Sequence, residues 1–256
     1  MTPAGWLAPP WRIGGVAGLM TTRAGGTSVG PFRSMNLGDR VGDDPASVAA
    51  NRRILAEAIG AAPVYLRQVH GTRVVRIDAY DAEEGAAVHE ADACVTVELG
   101  VACVVQAADC LPVLLAARNG RAVGAAHAGW RGLAAGIVEA AVASVCEAAA
   151  CPPRDTVAWL GACIGPRSFE VGADVLAAFD VAPEAEGDEH FRPLRPGKWL
   201  ANLPLLARDR LAAAGVAQID GADACTVEDV SRFFSFRRDG VTGRMAAAVW
   251  IEPSRR

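Results

Sequence analysis

The sequence predicts an α+β fold. Short apolar runs of five to seven residues crowd positions 93 to 126, and turn residues rather than helices separate them, so neighbouring strands are expected to pair largely antiparallel. Helical patterns occur elsewhere, without the regular β–α alternation that builds a doubly wound parallel sheet. Hydrophobic residues make up 52 % of the chain, enough for a sizeable core.

Each element has its own signal. Ile13 to Met20 reads as a strand that runs into a glycine-rich loop, residues 21 to 38. A helix starts at Asp44-Pro45, with Asp44 as N-cap and proline in the first turn. It carries Val48, Leu55 and Ile59 on one stripe and stops near Gly60. VYLRQV (64 to 69) and TRVVRID (72 to 78) have strand character; Gly71 lies between them, which puts His70 at a turn. Residues 80 to 91 are polar and read as loop. ACVTV, VACVVQ, LPVLLAA and RAVGAA then follow as strands, the last two joined by Asn119-Gly120, a strong hairpin signal. A helix is expected over Leu133 to Ala149, a strand at TVAWLG, helices over Ala173 to Phe179 and Leu203 to Ala214, and a final strand at RMAAAVWI. No linker divides the chain, so residues 1–256 are read as one domain. The second ADAC, at 222 to 225, repeats 91 to 94 by chance in so alanine-rich a sequence.

A formal net charge of -4 argues against general affinity for nucleic acid, which needs a concentrated basic surface. The N-terminal residues lack a basic segment followed by a continuous apolar one. The longest apolar stretch, Val101 to Ala117, is broken by Gln106, Asp109 and Pro112, too early to span a membrane. Seven cysteines in no secreted framework point to reduced thiols and a cytoplasmic protein.

The chain has four histidines. Two stand at the ends of apolar runs beside glycine or alanine: His70 in RQVHG and His127 in AAHAGWRG. Cys110, in AADCLP, is placed similarly. Three soft or borderline ligands at turns beside buried strands match the catalytic zinc pattern of three protein donors and an open position. Their separations, 40 and 17 residues, match no local finger motif.

The blocks RQVHGTRVV, EADACVT, AADCLPVLLA, AAHAGWRG, CIGPRSFEVG and FFSFRRDGVTGR, in this order, resemble the signature of the laccase-domain family, also called YfiH-like or PgeF-like. The resemblance runs from about Thr21 to Trp250, and HAGWRG together with ADC is specific to the family. It implies a mixed β-sandwich flanked by helices, an α/β/β/α arrangement resembling the catalytic domain of cytotoxic necrotizing factor. It implies that His70, Cys110 and His127 are the zinc ligands. The family's usual Gly-Pro is Gly161-Ala162 here, so that turn is expected to differ in shape. Cys163 is common at its position and is not singled out as a nucleophile.

The resemblance also implies the chemistry: zinc-dependent phosphorolysis of adenosine, inosine and methylthioadenosine, with adenosine deamination. The implied partners are a purine nucleoside and phosphate, with neither nucleic acid nor membrane; oligomeric state stays open. Phosphate needs paired donors, for which Arg131, Arg23, Arg67 and Arg167 are candidates, and Arg131 leads because it follows His127 by four residues. His70, Cys110, His127 and Arg131 are the catalytic candidates, and Trp130 is placed to stack on a base. Asp109 and Glu170 are candidates for a general acid or base. An alternative is editing of peptidoglycan precursors, by hydrolysis of a UDP-muramyl amino acid amide at the metal or at Cys110 as nucleophile. Polyphenol oxidation by copper ranks lower. Copper would bind the same three ligands in vitro, but only His89 and His190 remain for a three-copper cluster. A closed structural zinc site would need a fourth ligand from Cys94, His89 or Cys225.

Overall fold

In the computed structural model, residues 5–183 and 187–253 are described. Thirteen strands and six α-helices occur among them. The strands are β1 (Val16–Met20), β2 (Ala62–Val64), β3 (Val74–Arg76), β4 (Ala93–Thr96), β5 (Val101–Ala107), β6 (Leu111–Ala117), β7 (Val123–Ala128), β8 (Thr156–Leu160), β9 (Glu170–Val171), β10 (Phe191–Arg195), β11 (Lys198–Ala201), β12 (Gln218–Gly221) and β13 (Met245–Ile251). The helices are α1 (Pro45–Ile59), α2 (Trp130–Ala135), α3 (Ile137–Ala149), α4 (Ala173–Ala178), α5 (Leu203–Ala213) and α6 (Phe236–Asp239).

Two mixed sheets pack face to face. One has the order β1-β13-β5-β2 and the other β12-β8-β6-β7-β4-β3; β9, β10 and β11 form a small third sheet. The period-two alternation of strand side chains builds the layers. On β5, Val101, Cys103 and Val105 face the space between the sheets, while Ala102 and Val104 face outward toward Leu55 and Ile59 of α1. On β6, Leu114 and Ala116 face the inter-sheet core, while Leu111, Val113 and Leu115 meet α3 and α5. Helix, sheet, sheet and helix therefore stack as the α+β sandwich expected from the sequence.

The hairpin at Asn119-Gly120 forms, joining β6 and β7 antiparallel with Gly120 at φ 70°. α1 is capped as the sequence predicts: the Asp44 side chain accepts from the N–H groups of Ala46 and Ser47, and Gly60 closes the helix in the left-handed region. The helix expected from Leu133 is two helices. Helical structure begins at Trp130, and Gly136, at φ 102°, breaks it before α3. The run 64 to 69 leaves the sheet after Val64. Strands β9 to β12 carry no apolar alternation; β10 reads FRPLR with four exposed residues.

A buried side chain, Asn51, ties the glycine-rich loop to α1. Asn51 of α1 accepts from the Thr27 N–H at 2.8 Å, and its amide nitrogen lies 2.8 Å from the Asn36 carbonyl, 3.1 Å from that of Ser34 and 2.9 Å from the Ser28 hydroxyl. That loop continues into residues 38–41, which wall the cavity described below. Asn51→Ala strands these buried groups and is expected to cost roughly 2–3 kcal/mol of folding stability, read from the shift in a urea midpoint at constant slope. An unchanged midpoint would show that the loop is held by other contacts.

Candidate functional site

One end of the sandwich is open. There β5 finishes, β13 begins, β6 begins and β7 finishes, as the pairings Met245↔Ala107 and Leu111↔Ala128 require. On β7, Val123 and Ala125 face the inter-sheet core. His127 is the next residue with that facing, and it meets the space where the sheets part. The cavity there holds about 390 Å³ and is lined by His70, Cys110 and His127 with residues 38–41, Gln68, Gln106, Phe236 and Arg244.

His70, Cys110 and His127 converge. Their potential ligand atoms all lie within 4.8 Å of one another. The two imidazoles meet edge to face at 4.8 Å between centroids, and Cys110 Sγ is 3.8 Å from His70 Nε2. Gly129 makes the convergence possible: a Cβ there would lie 2.8 Å from His70 Cδ2 and 3.1 Å from Cys110 Sγ. Two nitrogens and one sulfur in such a cradle fit a borderline metal ion such as zinc, and copper equally. Among the described residues no fourth ligand joins them. Cys94 is buried in the inter-sheet core, His89 pairs with Asp81, and Cys225 lies against the Gly165 N–H on a different surface. His190 is held by Asp188 and Asp209.

Asp92, just ahead of β4, orders this triad. It is fully buried. Its carboxylate accepts from the backbone N–H groups of Val69, His70 and Gly71 at 3.1, 2.9 and 2.7 Å, and from His127 Nδ1 at 2.9 Å. Its carbonyl accepts from the His127 N–H at 2.7 Å. The run 64 to 69 therefore departs from strand geometry because the turn that follows it spends its N–H groups on a carboxylate instead of a neighbouring strand. The same bonds hold His70 at φ 62°, a conformation costly for a residue with a side chain. Since a carboxylate only accepts, it fixes the proton on Nδ1 and turns Nε2 of His127 toward the cavity.

Burial opposes charge on these groups, and their mutual proximity overrides it. The Cys110 thiol would be pushed up by burial, but the His127 charge and hydrogen bond, with a smaller contribution from His70, pull it down to about 6. Burial would lower His127; the Cys110 thiolate and the Asp92 bond raise it to about 9. Burial likewise works against Asp92, and the hydrogen bonds from His127 and Gly71 keep its carboxyl below the ordinary range. Near neutrality the metal-free site is a thiolate–imidazolium pair.

The other expected residues lie elsewhere. Arg131 is exposed on α2 and stacks over Trp130 at 4.3 Å; Trp130 packs partly against the core on the helix side. Helix α2 begins at Trp130, so its first turn carries both side chains away from the cavity. The Arg23 guanidinium is spent on the carbonyls of Arg33 and Val230, Arg67 pairs with Glu90, and Arg167 pairs with Glu228. None of these lines the cavity. Neither general-acid candidate does. Asp109, at φ 95°, accepts from the Thr226 hydroxyl and the Arg237 N–H, both at 2.6 Å, and Glu170 pairs with Arg195. Cys163 is buried, and the Ala162 N–H donates to Met20 Sδ, a bond proline would lack.

Sequence reasoning missed Asp92, Phe236, Arg40 and Arg244. Asp92 lies within the EADACVT block and is the one acid bordering an apolar strand there. Phe236 and Arg244 lie within FFSFRRDGVTGR. Phe236 is 58 % exposed on the cavity wall, and Arg244, partly buried, has its guanidinium 5.8 Å from the Phe236 ring.

A family model described as multi-copper polyphenol oxidoreductase laccase matches residues 17–252. The chain belongs to the YfiH-like laccase-domain family. Within it, purine nucleoside phosphorylase PA4543 of Pseudomonas aeruginosa is 47 % identical over 249 residues, covering 96 % of this chain and 98 % of that protein. Purine nucleoside phosphorylase YfiH of Escherichia coli is 45 % identical over the same shares. The crystal structure of the Neisseria meningitidis protein NMB0706 superposes with a TM-score of 0.88 at 44 % identity, covering 97 % of this chain and all of that one. YlmD from Geobacillus stearothermophilus gives 0.88 at 35 % identity over 99 % and 98 %. As a family member the protein is a purine-nucleoside-phosphorylase-like enzyme whose His-Cys-His group could hold a metal. No helix among the described residues is long and apolar enough to cross a membrane.

Two outcomes follow from this geometry. In metal-free protein, Cys110 should alkylate with half-maximal rate near pH 6, rising with pH as the thiolate forms, where an ordinary cysteine reaches that point about two units higher. Iodoacetamide labelling followed by peptide mass spectrometry measures this. Asp92→Asn should weaken zinc binding about 10–100-fold in competition with a chromophoric chelator, because the uncharged amide has a single acceptor oxygen for the four donors the carboxylate satisfies and sets an NH2 against the rest.

Proposed function

We propose that this protein is a zinc-dependent purine nucleoside phosphorylase of adenosine, inosine and methylthioadenosine that also deaminates adenosine, acting in the cytoplasm. The observation that carries the reading is the three-ligand group with an open side, set in a cavity of about 390 Å³. That size falls within the range typical of small-molecule sites, and the relatives at 47 % and 45 % identity are purine nucleoside phosphorylases.

His70, Cys110 and His127 would hold the zinc, which when bound supplies Lewis acidity at its open side. Cys110 is suited to ligation because its thiol already favours the thiolate near pH 7. Asp92 keeps the Nδ1 proton of His127 in place. The exposed face of Phe236 offers a stacking surface for a purine. In phosphorolysis a phosphate oxygen bonds to C1′ of the ribose while the C1′–N bond breaks, and the proton of the phosphate goes to the departing purine nitrogen. In deamination water adds at C6 of adenine and ammonia leaves.

Purified, metal-quantified protein incubated with adenosine should give adenine and ribose 1-phosphate only when phosphate is present, and inosine without it, as read by chromatography. His127→Ala should lose both zinc and at least 100-fold in turnover. A zinc-loaded sample that leaves every nucleoside intact sinks the reading; cleavage of a UDP-muramyl amino acid amide instead would assign the chain to precursor editing.

A further inference from the structure

Outside the His70, Cys110 and His127 group, the cavity carries more positive than negative charge that is free to act. Its lining includes one carboxylate, Asp39, and two guanidiniums, Arg40 and Arg244. Asp39 is committed to Arg52 at 3.3 Å, outside the lining. Arg40 is exposed. Arg244 is different: it is partly buried, and among the described residues no carboxylate lies within ion-pair distance of it. A cation taken from water without a partner is costly, which favours an anion from outside the chain as that partner.

The head of Arg244 is pre-aimed. Its Nη1 donates to the carbonyls of Thr242 and Gly243 at 3.0 and 3.1 Å. Those bonds fix the plane of the guanidinium and use one corner. Nε and Nη2, which together form the side-on edge of the fork, have no acceptor among the described residues. This is the edge that matches two oxygens of a phosphate. The backbone beneath is equally fixed: the Arg244 N–H donates to Asn36 Oδ1 at 2.8 Å, and the Arg244 carbonyl accepts from Leu37 N–H at 3.1 Å. The stem runs against Gly38, where a Cβ would lie 2.8 Å from Arg244 Cγ. The chain thus leaves room for this side chain at a cavity wall, and the strand that follows it, β13, is buried throughout.

We infer that Arg244 is the anchor for inorganic phosphate, binding it through the Nε–Nη2 edge inside the cavity that holds His70, Cys110 and His127. This rests on the phosphorylase reading for its role in turnover, but not for the binding itself. Phosphate held there lies in the same cavity as Phe236, whose ring would stack on the base, so nucleoside and nucleophile share one enclosure. The arginines near the sequence motifs, Arg131 and Arg67 among them, are occupied with aromatic or carboxylate partners outside it.

The test is direct binding of inorganic phosphate to the zinc-loaded protein, followed by ³¹P line broadening or calorimetry, with zinc content measured on every sample. Arg244→Met is expected to weaken phosphate binding about tenfold or more at unchanged zinc content, and Arg244→Lys, which keeps the charge without the fork, to recover only part of the loss. Gly38→Ala retains the arginine but displaces its stem, and should weaken binding by a smaller factor in a folded protein. In turnover the same order should appear in KM for phosphate. Phosphate binding by Arg244→Met equal to that of the wild type, or no binding by the wild type, overturns the inference. Arg244-dependent phosphate binding in a protein that cleaves no nucleoside would leave the anion subsite standing and remove the phosphorylase reading instead.

Discussion

The site depends on the Asp92 carboxylate. It is fully buried, and every bond it makes goes to a residue that must be placed: three backbone N–H groups of the His70 turn and the ring of His127. Burial of an ionised carboxylate is tolerable only when it is saturated with donors, and here the donors are the functional loops themselves. The four hydrogen bonds offset both the cost of burying the charge and the strain of His70 in the left-handed region. Neither would persist alone.

Around that anchor, the sandwich supplies position by termination. Strands of both sheets start or stop at one end, and the space their side chains would have filled becomes the cavity. The ligands arrive from the His70 turn, from the β5–β6 turn that ends in Cys110, and from the last residues of β7. The β5–β6 turn is itself held by Asp109, whose carboxylate reaches Thr226 and the Arg237 N–H across the chain. An acid beside a ligand thus proves to be a structural clamp, which its place in the sequence did not reveal.

Legibility followed the physics of each signal. Buried strands with short apolar runs, the Asn-Gly hairpin and the capped helix α1 are local patterns, and each appears where the sequence puts it. Strands β9 to β12 are short edge or small-sheet strands without apolar alternation, so no periodic signal marks them. The break at Gly136 is one residue in an alanine-rich run and carries no periodic signature. Residue type and position at turns raised His70, Cys110 and His127 as a candidate metal group, the family resemblance implied the same three, and the fold brings them together. Arg131 is four residues from His127 in the sequence but does not line the cavity, because the helix that starts at Trp130 turns it outward. Arg244, 117 residues beyond His127, reaches the cavity because β13 pairs with β5.

That pairing has a consequence for how the protein is made. Strand β13 lies between β1 and β5, joining the first strand of the chain to its middle through the last. During synthesis the N-terminal residues emerge first, yet the four-stranded sheet stays split until residues 245–251 leave the ribosome. The six-stranded sheet, with two of the three ligands in or beside its central strands, can form earlier. A polypeptide stopped short of its final strand therefore carries His70, Cys110 and His127 but lacks both the seam of the sandwich and the guanidinium at its mouth.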